Sequence, residues 1–318
     1  MPAILQVDPE SVNCVFGRED VLAVSTLEQL DMVTSHSERF LDLKVPRSRA
    51  TRLLGSPRIV DHGTAGQLGP AIKRGTSVVI VTFNSRATIE ACLSSVLPQL
   101  GDEDDLIVID NASQDRTASY LGARLSEWPR CTVVLNSENR GFSAACNQGM
   151  RLSRGRQILL LNPDTTFMGE SLGSMVAHLR DPQIAAVGPL SNAVAGLQRL
   201  GYSGGKSRLA LESKLLIGFC LMLRRSALDK VGLLSEELFL GSDDLEMSWR
   251  LRSAGYKMVV ATDVIVRHLG GVSFASLPAA SKERFVAEST DALIQRVRRA
   301  NGFFPSAEQI WDIDMLHR

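Results

Sequence analysis

Two neighbouring carboxylates, Asp243 and Asp244, stand in the segment Gly241-Ser-Asp-Asp-Leu-Glu-Met-Ser-Trp-Arg250. A carboxylate beside an acceptor hydroxyl can remove its proton as a general base during group transfer. The same spacing also suits a structural role, in which Asp244 caps a helix or pairs with Arg250 or Arg252. The segment by itself leaves both roles open.

Another carboxylate, Asp164, comes directly after the apolar run 158–161, in the sequence Asn162-Pro163-Asp164-Thr165. Mg²⁺ and Mn²⁺ prefer oxygen ligands and keep coordination places for phosphate and water. Asp164 is therefore a candidate ligand for a divalent cation that bridges a diphosphate. A turn-forming or helix-capping role is the alternative for this tetrapeptide.

Polar residues also follow two earlier apolar runs, Thr82-Phe-Asn84 after the first and Asp110-Asn111-Ala-Ser113 after the second. A carboxylate at this position can accept hydrogen bonds from a base N–H or a ribose hydroxyl. Alternatively, Asp110 and Ser113 cap the helix that follows. The glycines of a GxGxxG turn are missing after the first run, which argues against an NAD or FAD oxidoreductase.

A glycine at a predicted helix start, Gly141, lies between Asn139 and Asn147. Free N–H groups at such a start favour phosphate oxygens, and Asn139, Arg140 and Asn147 could add side-chain donors. Taken alone, the glycine is better explained by a turn and by close helix packing.

The elements that must position these residues alternate short apolar runs with helical spacing. The runs are Ser77–Phe83, Leu106–Asp110, Cys131–Leu135 and Ile158–Leu161. Apolar residues recur at helical spacing between Ile89 and Leu100 and again after Asp115. This succession predicts an α/β fold with a mostly parallel sheet, in which ligands bind beyond the carboxyl ends of the strands.

The second half predicts a strand at Ile184–Val187, a mobile loop at 196–207, a helix at Asp243–Ala254 and strands at Tyr256–Val260 and Val264–Val266. Residues 281–299 mix apolar and basic side chains. They predict either a docked terminal helix or a basic amphipathic helix on a membrane surface.

Composition narrows the class of protein. The 35 basic and 35 acidic residues cancel, so no overall field attracts nucleic acid or anionic lipid. Five cysteines without a CxxC pair argue against a disulfide framework and a zinc site. No signal peptide and no run of about 18 apolar residues is evident, so we expect a cytoplasmic protein.

Six segments together resemble glycosyltransferase family two, whose members have the GT-A fold. They follow the family's order over about 200 residues. The segments are Val81–Asn84, Val108–Ser113, Asn139–Gly149, Leu160–Thr165, Gly241–Arg250 and His268–Ser273. The resemblance implies a GT-A domain at 76–275, preceded by an appendage of unknown role at 1–75 and followed by a helical tail at 276–318.

The resemblance also implies roles for individual residues. Asp244 would be the catalytic base, and Asp164 with His268 would hold Mg²⁺ or Mn²⁺. The donor-binding residues would be Thr82, Asn84, Asp110, Asn111, Asn139, Gly141, Asn147, Asn162 and Asp164. The acceptor side would comprise Gly218, Phe219, Asp243 and Trp249, although packing of its helix is the simpler role for Trp249. The family's DxD metal motif is NPD here, which leaves one carboxylate and implies weaker metal binding.

The implied function is inverting transfer of a sugar from a nucleoside-diphosphate sugar to a hydroxyl of a glycan or lipid-linked acceptor. The motif style is closest to the rhamnosyltransferase branch, so dTDP-rhamnose is the leading donor and a UDP-hexose the next. Synthesis of a bacterial envelope polysaccharide is the expected setting. The alternative is a nucleotide-sugar-binding protein with weak catalysis.

Overall fold

A computed structural model describes residues 75–303, apart from 127, 129, 195, 202–209 and 271–278, together with residues 310 and 311. The predicted appendage at 1–75 lies outside these residues except for Gly75, as does the second half of the loop predicted at 196–207. The division of the chain into three regions therefore remains a prediction.

Nine strands form one sheet in the described residues. They are β1 Thr76–Thr82, β2 Asp105–Asp110, β3 Cys131–Leu135, β4 Gln157–Leu161, β5 Thr165–Met168, β6 Ile184–Leu190, β7 Ala210–Glu212, β8 Cys220–Arg224 and β9 Lys257–His268. Their order is β3-β2-β1-β4-β8-β6-β9-β5, with β7 also paired to β9.

Strand direction changes at β8. The first four strands are mutually parallel, as predicted. Strand β8 is antiparallel to both β4 and β6, while β6 and β9 are parallel. Strands β1 to β4, β6 and β9 consequently all end at one edge of the sheet, and β8 begins there. We call this the carboxyl edge.

Helices cover both faces of the sheet. They are α1 Ile89–Val96, α2 Thr117–Leu125, α3 Phe142–Leu152, α4 Ser171–His178, α5 Arg225–Val231, α6 Asp243–Ser253 and α7 Ala279–Asn301. Alternate residues of one strand enter opposite cores, so that Val78 packs with α1 and α2 while Val79 packs with α3. Burial on both faces explains why the strands are continuous apolar runs.

The sequence predictions agree with this α/β architecture and differ at defined points. The four early strands and helix α6 lie within one residue of their predicted bounds. The two strands predicted at 256–260 and 264–266 are one strand, β9, which pairs with β5, β6 and β7. The sheet is mixed where β5, β7 and β8 enter, because these strands pair antiparallel.

The terminal helix α7 docks on the protein. Leu293 and Val297 are fully buried and share a cluster with Leu245 of α6 and with Trp311. Its exposed positions include the acidic Glu283, Glu288 and Asp291 beside Arg298 and Arg299. The packing supports the docked-helix interpretation. Within the described residues, no helix combines the length and the apolar character needed to span a membrane.

Leu293→Ala should lower the free energy of unfolding by about 2–5 kcal/mol, because it leaves a cavity between α7 and α6. Gln295→Ala, at an exposed position of the same helix, should change it by at most about 0.5 kcal/mol. Urea denaturation of both variants measures the difference. Equal, small effects would contradict the docked helix.

Candidate functional site

The residues singled out in the sequence meet at the carboxyl edge. Asn84, Asn111 and Asn162 follow β1, β2 and β4, and His268 is the last residue of β9. Because β8 runs antiparallel, Gly218 and Phe219 reach the same edge just before it starts. The direction of each strand thus brings residues from Asn84 to His268, which are 184 positions apart in the sequence, to one place.

Thr82 and Asp110 form a buried pair between β1 and β2. The Thr82 hydroxyl donates to Oδ1 of Asp110 over 2.8 Å, and the Ser113 N–H donates to Oδ2 over 3.0 Å. Thr82 is fully buried, so it acts on a ligand only by orienting Asp110. A carboxylate has about four acceptor positions, and these two bonds occupy two of those of Asp110, whose side chain is itself buried.

The helix-capping interpretation of Asp110 and Ser113 is wrong. Helix α2 begins at Thr117, and it is Asp115 that accepts the Thr117 N–H over 3.1 Å. The Ser113 hydroxyl instead accepts the N–H of Asn84 over 2.8 Å. The loops after β1 and β2 are therefore tied to each other.

A network of side-chain amides joins the loops after β2 and β3. Asn111 donates to Oδ1 of Asn139 over 2.8 Å and accepts from Asn136 over 3.1 Å. Asn136 is paired twice with Gln148 of α3, at 3.0 Å each. This network gives Asn111 and Asn139 structural partners, and neither Asn136 nor Gln148 was identified from the sequence.

Gly141 and Asn147 serve packing. A Cβ at Gly141 would lie 2.6 Å from the ring of Phe239, and the residue has a φ of 81°, where glycine is favoured. Asn147 is 1% exposed, and its amide exchanges two hydrogen bonds with the backbone of Leu234. The packing interpretation of this segment therefore fits the structure better than contact with phosphate.

Asp164 and His268 converge at the carboxyl edge. Nε2 of His268 lies 3.3 Å from Oδ1 of Asp164, and both side chains are nearly buried. The contact lacks hydrogen-bond geometry, which leaves Nε2 as a buried atom without a hydrogen-bond partner. The side chain of Asn162 is partly exposed beside this pair.

The loop after β6 holds His268 in place. Asn192 accepts the His268 N–H over 2.9 Å and donates to its carbonyl oxygen over 3.0 Å. The carbonyl of Ala193 lies 3.3 Å from Nδ1 of the ring, and Phe219 stacks on it with 5.0 Å between ring centroids. Sequence reasoning missed Asn192 and Ala193, because the strand predicted at Ile184–Val187 ends before them, whereas β6 extends to Leu190.

Asp244 is held by backbone amides. Gly218 N–H donates to its Oδ2 over 3.2 Å, and Leu245 N–H donates to Oδ1 over 2.8 Å. A Cβ at Gly218 would lie 3.5 Å from both Oδ2 of Asp243 and Cβ of Asp244. Phe219 and Gly218 therefore link the Asp164–His268 pair with the two acids at the start of α6.

The two acids have raised pKa values. Burial, followed by the charge of Asp244, raises the pKa of Asp243 from 3.8 to about 8. Burial also raises the pKa of Asp244, against the hydrogen bonds from Gly218 and Leu245. The pair therefore shares a proton near neutral pH, and a carboxylate with a raised pKa is a stronger base.

Arg250 pairs with Glu246 and leaves Asp244 free for another role. Its Nη2 lies 2.6 Å from Oε2 of the fully buried Glu246, and the guanidinium also donates to the carbonyls of Val231 and Leu233. Trp249 packs in the cluster that docks α7, as the simpler interpretation predicted.

Asp164 and His268 could together supply two ligands to a divalent cation. The described residues contain no group of three His, Cys, Asp or Glu side chains that could hold a metal. Oxygen atoms of a bound diphosphate and water would have to complete the coordination. This agrees with the single carboxylate of the NPD sequence.

Comparison with known proteins gives a match to one family, described as glycosyl transferase family 2, over residues 77–232. The chain is 25% identical over 197 residues to a poly-beta-1,6-N-acetyl-D-glucosamine synthase of Staphylococcus aureus, covering 58% of this chain and 47% of the relative. It is 31% identical over 150 residues to the succinoglycan biosynthesis protein ExoO of Rhizobium meliloti, covering 46% and 40%. The chain spans about half the length of the curated relatives it matches.

A solved structure with a similar fold is a mannosyltransferase from Pyrobaculum calidifontis in complex with GDP-Man and Mn²⁺. The TM-score is 0.52 with 20% identity, over 74% of this chain and 78% of that chain. This likeness supports the expected nucleotide-sugar transferase fold.

Asp243→Asn should remove a pH dependence of stability. The native state holds the Asp243 proton more tightly than the unfolded chain does, so this group's stabilisation is complete below pH 3.8 and is lost as pH rises towards 8. The melting temperature of the variant, relative to the parent, should therefore increase from pH 5 to pH 8. If the melting temperatures of the variant and the parent change in parallel between pH 5 and pH 8, the pKa of Asp243 is not raised.

Proposed function

We propose, from the match of residues 77–232 to glycosyl transferase family 2, that the chain moves a sugar from a nucleoside-diphosphate sugar to an acceptor hydroxyl. We infer that the transfer inverts the anomeric centre. The observation that carries the proposal is the meeting of Asp164, His268 and Asp244 around Gly218 and Phe219.

The nucleotide would bind at the loops after β1 and β2. Asp110 keeps free acceptor positions for a base or ribose, and Asn84, Asn111 and Asn139 border it. Thr82 orients Asp110 from below, and the amide of Asn147 is engaged by the backbone of Leu234. The donor-binding set at these loops thus narrows to Asn84, Asp110, Asn111 and Asn139.

Asp164 and His268 would hold Mg²⁺ or Mn²⁺ next to the diphosphate. When bound, such a cation neutralises negative charge on the departing nucleoside diphosphate. The unpartnered Nε2 of His268 and its 3.3 Å approach to a carboxylate oxygen support this assignment, since a cation would satisfy both atoms.

Asp244 would act as the general base. Its two backbone hydrogen bonds fix the carboxylate at the start of α6, and its raised pKa favours proton removal near neutral pH. The acceptor hydroxyl would approach along Gly218, where the missing side chain leaves room beside both acids. The proton would pass to Asp244 as the hydroxyl oxygen attacks the anomeric carbon.

The donor and acceptor classes follow the sequence resemblance and the relatives. We propose dTDP-rhamnose as the donor, with a UDP-hexose next, and a glycan or lipid-linked acceptor in bacterial envelope polysaccharide synthesis. The curated relatives are a polysaccharide synthase and a succinoglycan biosynthesis protein, which supports this class. Turnover of donor by the purified protein separates an enzyme from a protein that only binds nucleotide sugars.

Asp244→Asn should lower transfer by roughly 100-fold or more, the usual contribution of a general base, with donor affinity nearly unchanged. The amide cannot accept both backbone N–H groups, so stability should also fall by about 1–3 kcal/mol. Transfer kinetics and donor titration, both well below the melting temperature, measure these effects.

Asp243→Asn is the matched control for the neighbouring position and should lower the rate of transfer less than Asp244→Asn. Thermal melting compares the stabilities of the two variants, so that an effect on stability is distinguished from an effect on the rate of transfer. If Asp244→Asn transfers sugar within a few-fold of the parent at equal donor affinity, Asp244 has no part in the chemical step.

Asp164→Asn should weaken Mn²⁺-dependent binding of nucleoside diphosphate by about 10-fold or more, because one of two protein ligands is lost. Calorimetric titration with UDP, dTDP and GDP, with Mn²⁺ and with chelator, measures this and identifies the base. Asp263→Asn is the control, since it disrupts another His–Asp pair, with His178, outside the site. Equal binding by the parent with Mn²⁺ and with chelator would overturn the cation site.

A further inference from the structure

Asn192 makes a pair of hydrogen bonds with His268 that resembles one step of a β-ladder. Its Oδ1 accepts the His268 N–H over 2.9 Å, and its Nδ2 donates to the His268 carbonyl over 3.0 Å. The side chain therefore fixes the end of β9 to the loop that follows β6. The same loop is closed on itself by a bond of 2.7 Å from Ser191 N–H to the Gln198 carbonyl.

This attachment also determines what faces the imidazole ring. The residue after Asn192 is Ala193, and its carbonyl oxygen lies 3.3 Å from Nδ1 of His268. A carbonyl oxygen only accepts hydrogen bonds, so Nδ1 must carry a proton. In a neutral imidazole the lone pair then belongs to Nε2, the atom that lies 3.3 Å from Asp164.

We propose that Asn192 is a positioning residue, which keeps the Ala193 carbonyl on Nδ1 and so presents the Nε2 lone pair of His268 to a cation shared with Asp164. The proposal rests on the cation site of the proposed function. Without Asn192, the neutral ring would adopt the Nε2–H form that a histidine side chain favours in water. A proton on Nε2 would point at Asp164 and occupy the place of the cation.

Phe219 contributes the other restraint on the ring. It stacks on the imidazole at an interplanar angle of 19°, which limits rotation of the ring but does not determine which nitrogen carries the proton. Stacking therefore sets the plane of the ring, and the Asn192–Ala193 loop sets the position of its proton. The two restraints have different effects and can be separated by experiment.

Asn147 offers a matched control for Asn192. It makes the same pair of bonds, at 2.8 and 3.0 Å, with the carbonyl and N–H of Leu234. Its partners lie on the loop before α6, and none of them contacts His268. Asn147→Ala thus removes an equivalent pair of backbone bonds, together with a bond of 3.0 Å to Glu236, without changing the surroundings of the imidazole.

The test compares the parent, Asn192→Ala and Asn147→Ala by nitrogen NMR of the histidine side chains at alkaline pH, where imidazole is neutral. His268→Gln assigns the signal among the five histidines. We expect the Nδ1–H form in the parent and in Asn147→Ala, and a shift towards Nε2–H in Asn192→Ala. If Asn147→Ala does not fold, Gln198→Leu provides the control within the same loop, since Gln198 bonds Pro189 and Ile217 instead.

Titration with Mn²⁺ alone adds a second measurement, because the paramagnetic ion broadens the His268 ring signal when it binds nearby. Asn192→Ala should weaken this binding about 10- to 100-fold, the usual effect of losing a residue that orients a metal ligand. An unchanged tautomer in Asn192→Ala overturns the proposal. Broadening that is absent from the parent counts against the cation site itself, while the tautomer comparison still decides the role of Asn192.

Discussion

The antiparallel insertion of β8 beside β4 is the constraint on which the site depends. It brings Gly218 and Phe219 to the carboxyl edge, where the Phe219 carbonyl accepts the Asn162 N–H over 2.8 Å. The Phe219 ring then stacks on His268, and the Gly218 N–H bonds Asp244. Two adjacent residues thereby link the candidate metal ligands with the candidate base. A parallel strand at this position would have carried them to the opposite edge.

The ionisable groups of the site are largely buried. Burial of a charge is unfavourable unless an opposite charge or hydrogen bonds compensate the loss of water. Glu246 is compensated by Arg250 and by Arg296, which reaches it from α7 over 3.2 Å. Among the described residues no cation pairs with Asp243, and burial, followed by the charge of Asp244, raises its pKa. Helix α6 therefore carries one buried acid, Glu246, that is paired with two arginines, and two acids at its start whose pKa values are raised. Asp244 is thereby kept at the carboxyl edge as the proposed proton acceptor.

Helix α7 supports the same arrangement from behind. It packs Leu293 and Val297 against Leu245, and the indole N–H of Trp311 donates to the Leu245 carbonyl over 3.0 Å. Leu245 directly follows Asp244, so the docked tail and the candidate base share one stretch of backbone. The apolar and basic residues at 281–299 were compatible with a membrane helix. Their packing against Leu245, which lies far away in sequence, supports a docked helix.

The sequence by itself determined the early strands, helix α6 and the polar residues that follow each strand, because alternating burial and strand ends leave local patterns. It therefore predicted Asp110 and Asp164 as residues of one edge, whereas Asp244 was assigned to the site through the resemblance to glycosyltransferase family two. Only the tertiary structure decided that Asn147 is a packing residue, that Arg250 pairs with Glu246, and that Asn192 holds His268. The contacts of Asn147 and Asn192 join segments that are far apart in the sequence, so they leave no local pattern. They depend on how β6, β8 and β9 pair across the sheet.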